Sequence, residues 1–88
     1  VAYIKQNYKF PVIVDPSHAT GIRSLVAPRS MAAAAAGADG LLIEVHPNPD
    51  SALSDGFQTL NFNEFSDLMS QLGPLLQHLK RPLLPLDV

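Results

Sequence analysis

The sequence predicts an α/β fold in which two short parallel strands alternate with helices in the order βαβα. Three observations predict it. Val12-Ile13-Val14 and Leu41-Leu42-Ile43 are continuous apolar runs, the pattern of strands buried on both faces. An alanine-rich stretch lies between them, and a stretch with apolar residues at helical spacing follows the second run. About 24 residues separate the two strands, enough for a right-handed crossover through a helix.

Each element follows from its residues. Val1 to Tyr8 reads as the last turns of a helix, with Val1, Ile4 and Tyr8 on one side. It has no initiator Met and no capping residue before it, so it is expected to continue a helix that lies upstream. Pro11 disfavours helix at Phe10, and the first strand is placed at residues 12–15, stopped by Pro16. A loop over 17–23 contains Gly21. A helix over 24–36 has Ser24 as its candidate N-cap, Pro28 in its first turn and five consecutive alanines, the best helix formers. Gly37 fits the position just past its end. Asp39-Gly40 turns into the second strand, 41–46, which Pro47 ends.

Residues 48–59 form a polar loop, long enough to be a functional candidate. Asn61 and Glu64 then make a capping box for a helix over 61–72, whose Phe62, Phe65, Leu68, Met69 and Leu72 share a face. Gly73-Pro74 is expected to break or kink it, and 80–88 is expected to be an extended tail.

Length and composition bound the function. Eighty-eight residues make one small domain or a piece of a larger one. The net charge of −2 gives no basic surface for nucleic acid. The apolar runs are far short of the ~20 residues a membrane span needs, and no signal peptide is visible. The absence of cysteine removes a disulfide scaffold and a thiolate metal site within these residues.

The chemistry is concentrated where the two strands end. In parallel α/β architecture, ligand sites lie at the carboxyl ends of strands. Asp15 and His18 follow the first strand, Glu44 and His46 end the second, and Asp55 lies on the loop after it. Glu44 and His46 are two apart, so they point to the same face. Two carboxylates with one or two imidazoles suit Mn, Fe, Co or Zn better than Mg or Ca. Each residue also has a plainer reading. His18 could cap a turn, Asp15 could form an Asx-type turn before Pro16, and Asp55 could be a turn residue before Gly56. Glu44 could pair with Arg23 or Lys5. Arg23 and Arg29 could bind phosphate or be solvated charges. His78 and Lys80 read as surface residues.

Three stretches resemble the 3-deoxy-D-arabino-heptulosonate 7-phosphate (DAHP) synthases, in the short type related to octulosonate 8-phosphate synthases. Pro11 to Arg23, with Asp15-Pro16-Ser17-His18, resembles the seventh-strand motif. Gly37 to Pro47, with Ile43-Glu44-Val45-His46-Pro47, resembles the eighth strand, and Pro49 to Leu60 the loop after it. The resemblance implies the C-terminal part, about two βα units, of a TIM (β/α)₈ barrel. It implies condensation of phosphoenolpyruvate with erythrose 4-phosphate, the first step of the shikimate pathway to aromatic amino acids, by a cytoplasmic homo-oligomer. It also implies a divalent metal held by His18, Glu44, Asp55 and a cysteine from an early strand. Asp15 matches an aspartate near the aldehyde end of the substrate, and His46 and Arg23 match polar residues near the site. The family often has basic residues where this chain has Ile22 and Met31, so no phosphate contact is expected at either. On this reading the 88 residues alone are inactive. An octulosonate 8-phosphate synthase and a non-catalytic βα module are the alternatives.

Overall fold

The computed structural model describes residues 1–16, 22–48 and 59–83. In chain order the elements are helix α1 (Ala2–Asn7), strand β1 (Ile13–Val14), a 3₁₀ turn (Arg23–Leu25), helix α2 (Val26–Ala36), strand β2 (Gly40–Leu41) and helix α3 (Phe62–His78). β1 and β2 pair in parallel, with Ile13 opposite Gly40 and Val14 opposite Leu41. The ladder extends past the strands proper, because the Leu42 amide donates to the Val14 carbonyl at 2.9 Å.

Alternation along the strands separates two faces. Leu41 and Ile43 turn toward the helices, where they pack on the core of Val26, Ala34, Leu60, Leu68 and Leu72. Ile13 and Leu42 face the other way and are 64% and 58% exposed. Ile13 and Gly40 share that open face so closely that a Cβ on Gly40 would lie 2.7 Å from Ile13 Cδ1. Helices therefore cover one side of the sheet, and the strand residues of the open side alternate with them.

α2 and α3 form the covering layer. α2 begins without a side-chain cap: its N-cap is Leu25, and Ser24 sits inside the 3₁₀ turn instead of capping the helix as its residue type suggested. Pro28 is tolerated because it falls in the first turn, where its missing N–H has no intrahelical role. Val26, Ser30, Ala33 and Ala34 are the buried side of α2, and the Ser30 hydroxyl is satisfied by donating to the Val26 carbonyl at 2.7 Å. Small side chains on that side let α2 lie close to its neighbours.

α3 starts at the expected capping box. The Glu64 amide donates to Asn61 Oδ1 at 2.7 Å, and the Asn61 amide donates to Glu64 Oε1 at 2.8 Å. The helix does not stop at Gly73-Pro74; it runs on to His78. Proline removes one backbone hydrogen bond and strains the turn before it. Leu72 before the proline is 2% exposed, and Leu75 and Leu76 after it pack on the same core, so burial on both sides of Pro74 keeps the helix continuous.

Both long helices end in the same hydrogen-bonded turn. After α2, Gly37 takes the left-handed conformation (φ 106°), its amide donates to the Ala34 carbonyl, and the Ala38 amide reaches back to Ala33. After α3, Lys80 takes that conformation (φ 60°), with Lys80 donating to Gln77 and Arg81 to Leu76. The second turn aims Arg81 at the first. Its guanidinium donates to the carbonyls of Ala34, Gly37 and Ala38, at 3.4, 3.3 and 2.8 Å, and so binds the negative end of α2. Among the described residues, no helix is long and apolar enough to cross a membrane.

Candidate functional site

The site is built where the strands finish, on the open face. Strand alternation carries the face of Ile13, Gly40 and Leu42 onward to Asp15, Glu44 and His46, all three half-buried. β2's path beyond Leu41 is held by Thr59-Leu60, which runs parallel to it through a bridge between Val45 and Leu60. The His46 amide donates to the Leu60 carbonyl at 2.9 Å, and the Leu60 amide donates to the Glu44 carbonyl at 3.0 Å. Thr59 falls in the stretch expected to be a polar loop and Leu60 in the loop of the motif resemblance; in the structure Leu60 instead forms a single parallel bridge with Val45.

This pairing delivers a side chain that sequence reasoning missed. Thr59 is 3% exposed, and its hydroxyl donates to Glu44 Oε2 at 3.3 Å. A carboxylate taken partly out of water needs such donors, because leaving it without them is costly. A second omission is Asn48, whose backbone amide donates to His46 Nδ1 at 2.9 Å. The only hint of the first in the sequence is a β-branched residue followed by leucine, just ahead of a capping box. The second has no sequence signal, since any residue but proline supplies an amide.

Asp15, Glu44 and His46 thus lie on one face at one end of the sheet. Arg23, half-buried, opens the 3₁₀ turn that leads into α2. His18 and Asp55 lie outside the described residues. Lys5 is not Glu44's partner. Its ammonium donates to Asp39 Oδ2 at 2.8 Å and to the Phe10 carbonyl at 3.4 Å, at the opposite end of the strands. The Lys5 hydrogen bond, aided by one from the Val12 amide and by the charges of Lys5 and Arg81, holds the Asp39 carboxyl below its ordinary value of 3.8. The charged cluster at the amino end is therefore a fold clamp. The polar cluster at the carboxyl end is the candidate site.

Among the described residues, no three His, Cys, Asp or Glu side chains come together as a metal site. Glu44 alone among the expected ligands is described, and it fits the role. It is half-buried, at the carboxyl end of a strand, and its carboxylate is oriented by a hydroxyl, as ligating carboxylates commonly are.

Parallel βα architecture with its polar cluster at the strands' carboxyl ends is the arrangement of α/β enzymes that work at one end of a sheet. The chain belongs to the DAHP synthetase I family, whose model matches residues 1–81. It is 48% identical over 75 residues to a phospho-2-dehydro-3-deoxyheptonate aldolase of Thermotoga maritima, a match covering 85% of this chain and 22% of that protein. A 2-dehydro-3-deoxyphosphooctonate aldolase of Desulfotalea psychrophila is 35% identical over 80 residues, covering 78% of this chain and 29% of that one. The fold superposes on a truncated form of 3-deoxy-D-arabino-heptulosonate 7-phosphate synthase from Thermotoga maritima with a TM-score of 0.90. That match has 45% identity and covers 93% of this chain and 31% of the other. The chain spans less than a third of each of these proteins.

Proposed function

We propose that the chain forms the last two βα units of a (β/α)₈ barrel and carries the metal-binding side of a DAHP synthase site. The observation that carries this is the placement of Asp15, Glu44 and His46 on one face at the carboxyl end of a parallel strand pair, in a member of the DAHP synthetase I family. The Thermotoga heptonate enzyme is more similar to this chain than the octonate enzyme is, at 48% against 35%.

In this reading His18, Glu44 and Asp55 would hold a divalent ion of the Mn, Fe, Co or Zn class, with a cysteine from outside these residues. Such an ion supplies Lewis-acid polarisation of a carbonyl. Asp15 lies at the aldehyde end of erythrose 4-phosphate and accepts hydrogen bonds from its hydroxyls. Arg23 offers a guanidinium to a phosphate. Thr59 keeps the Glu44 carboxylate aimed into the site. The bond made is between C3 of phosphoenolpyruvate and the aldehyde carbon. Water adds at C2, and phosphate leaves. The enzyme works as a cytoplasmic homo-oligomer, and the 88 residues alone do not turn over, because phosphoenolpyruvate is gripped by other strands.

The test is a phosphate-release assay of the complete enzyme containing this chain, with phosphoenolpyruvate and either erythrose 4-phosphate or arabinose 5-phosphate. Turnover with erythrose 4-phosphate and little with arabinose 5-phosphate is expected. The reverse preference would assign the chain to the octulosonate reaction.

A further inference from the structure

The ring of His46 is held in a way that restricts what it can do. A neutral imidazole has one N–H and one lone pair. The Asn48 backbone N–H can only donate, and it donates to His46 Nδ1 at 2.9 Å. The lone pair is therefore on Nδ1, and the proton is on Nε2. Pro47 has no N–H, so Asn48 supplies the first amide after His46 that can make this contact. The His46 backbone is fixed as well, through its own amide on the Leu60 carbonyl at 2.9 Å. Ring and main chain are both tied, so the Nε2–H, which meets no acceptor among the described residues, is oriented before anything binds.

We propose that the Pro47-Asn48 turn locks His46 as the Nε2–H tautomer, making His46 a hydrogen-bond donor to an acceptor oxygen of the phosphorylated substrates and not a metal ligand. A protonated Nε2 has no lone pair to give a metal, and the Nδ1 lone pair is already used. What Nε2–H can meet is an acceptor, and phosphate, carboxylate and carbonyl oxygens are the acceptors these substrates offer. Glu44, two residues back on the same face, is left as the ligand of the pair. The inference rests on the function proposed above only for the identity of the acceptor.

Nitrogen-15 NMR of the complete enzyme, at a pH where the ring is neutral, reads the tautomer directly. The Nε2–H pattern is expected for His46, and an Nδ1–H pattern overturns the proposal whatever the enzyme's substrate. Metal affinity of His46→Gln should stay within about threefold of the parent, less than the roughly tenfold loss expected from removing even an outer-shell partner. A larger loss ties His46 to the metal, as a ligand or as a partner that orients one, and overturns the proposal. With the heptulosonate substrates, kcat/KM of His46→Ala should fall by roughly ten- to a hundredfold. His46→Gln, which carries an amide N–H near the Nε2 position, should recover part of it, and His46→Asn should not. Unchanged kcat/KM in His46→Ala, in an enzyme active on these substrates, overturns the donor role.

Discussion

Asp39 and Val12 hold each other twice. The Asp39 amide donates to the Val12 carbonyl at 2.8 Å, and the Val12 amide donates back to Asp39 Oδ2 at 2.8 Å. Lys5 donates to the same carboxylate oxygen, and Arg81 approaches the other at 3.7 Å. One carboxylate thus joins α1, the entry to β1, the end of α2 and the segment after α3. It sets the register in which β1 and β2 bring Asp15 and Glu44 to the same end of the sheet.

This clamp predicts a pH dependence. The folded-state pKa of Asp39 is depressed below 3.8, so its contribution to stability is present above that value and is lost as pH falls through the lower folded value. Asp39→Asn should be less stable than the parent at neutral pH. The gap in urea midpoint should close as the pH is lowered below 3.8. A gap that stays constant across the acid range would mean that the carboxylate charge is not what stabilises the clamp.

Lys80 points to a stabilising substitution. It adopts φ 60° at the end of α3, a conformation that costs a residue with a Cβ about 1–2 kcal/mol. Gly37 takes the equivalent position after α2 without that cost. Lys80→Gly should therefore raise stability by about 0.5–1 kcal/mol, after the greater chain entropy of glycine is subtracted. Thermal or urea unfolding measures it. A destabilised variant would show that the lysine side chain is doing more than occupying the turn.

Thr59 should matter to binding more than to folding. Thr59→Val keeps the buried shape and removes the hydroxyl that donates to Glu44. Metal affinity should fall by about 10–100-fold, the usual effect of losing a partner that orients a ligand. Thr59→Ser should retain most of it. Equal affinity in the valine variant would detach Thr59 from the site.

The parts of this fold that are legible in the sequence are those set by local chemistry. The two apolar runs bounded by prolines, the alanine helix ended by Gly37, and the Asn61–Glu64 capping box all declare themselves within a few residues. What misleads is local propensity where packing overrides it. Gly73-Pro74 looks like a helix end, yet leucines on both sides of it are held by the core. Ser24 looks like a cap, yet the chain enters α2 through a 3₁₀ turn.

The site is half legible for a related reason. Glu44 and His46 stand out because an acid and an imidazole end an apolar run. Their partners do not stand out. Thr59 reaches Glu44 across a separation of 15 residues, and the contact exists only because Leu60 pairs with the backbone of residues 44 to 46. Nothing in the spacing of the sequence encodes that bridge. His18 and Asp55, which strand-end position and motif resemblance together group with Glu44, fall outside the described residues.

The most direct test of the account is a metal titration of the complete enzyme, parent against Glu44→Gln, followed by calorimetry. Glu44→Gln keeps the size of the side chain and an oxygen for the Thr59 hydroxyl, so the fold should be retained. If Glu44 is a ligand, affinity for Mn or Zn should drop by at least about 100-fold, more than an orienting partner alone contributes, while the unfolding midpoint of the metal-free protein stays close to the parent's. Unchanged metal affinity in Glu44→Gln would contradict the account and leave the carboxyl-end cluster as a binding surface without a metal.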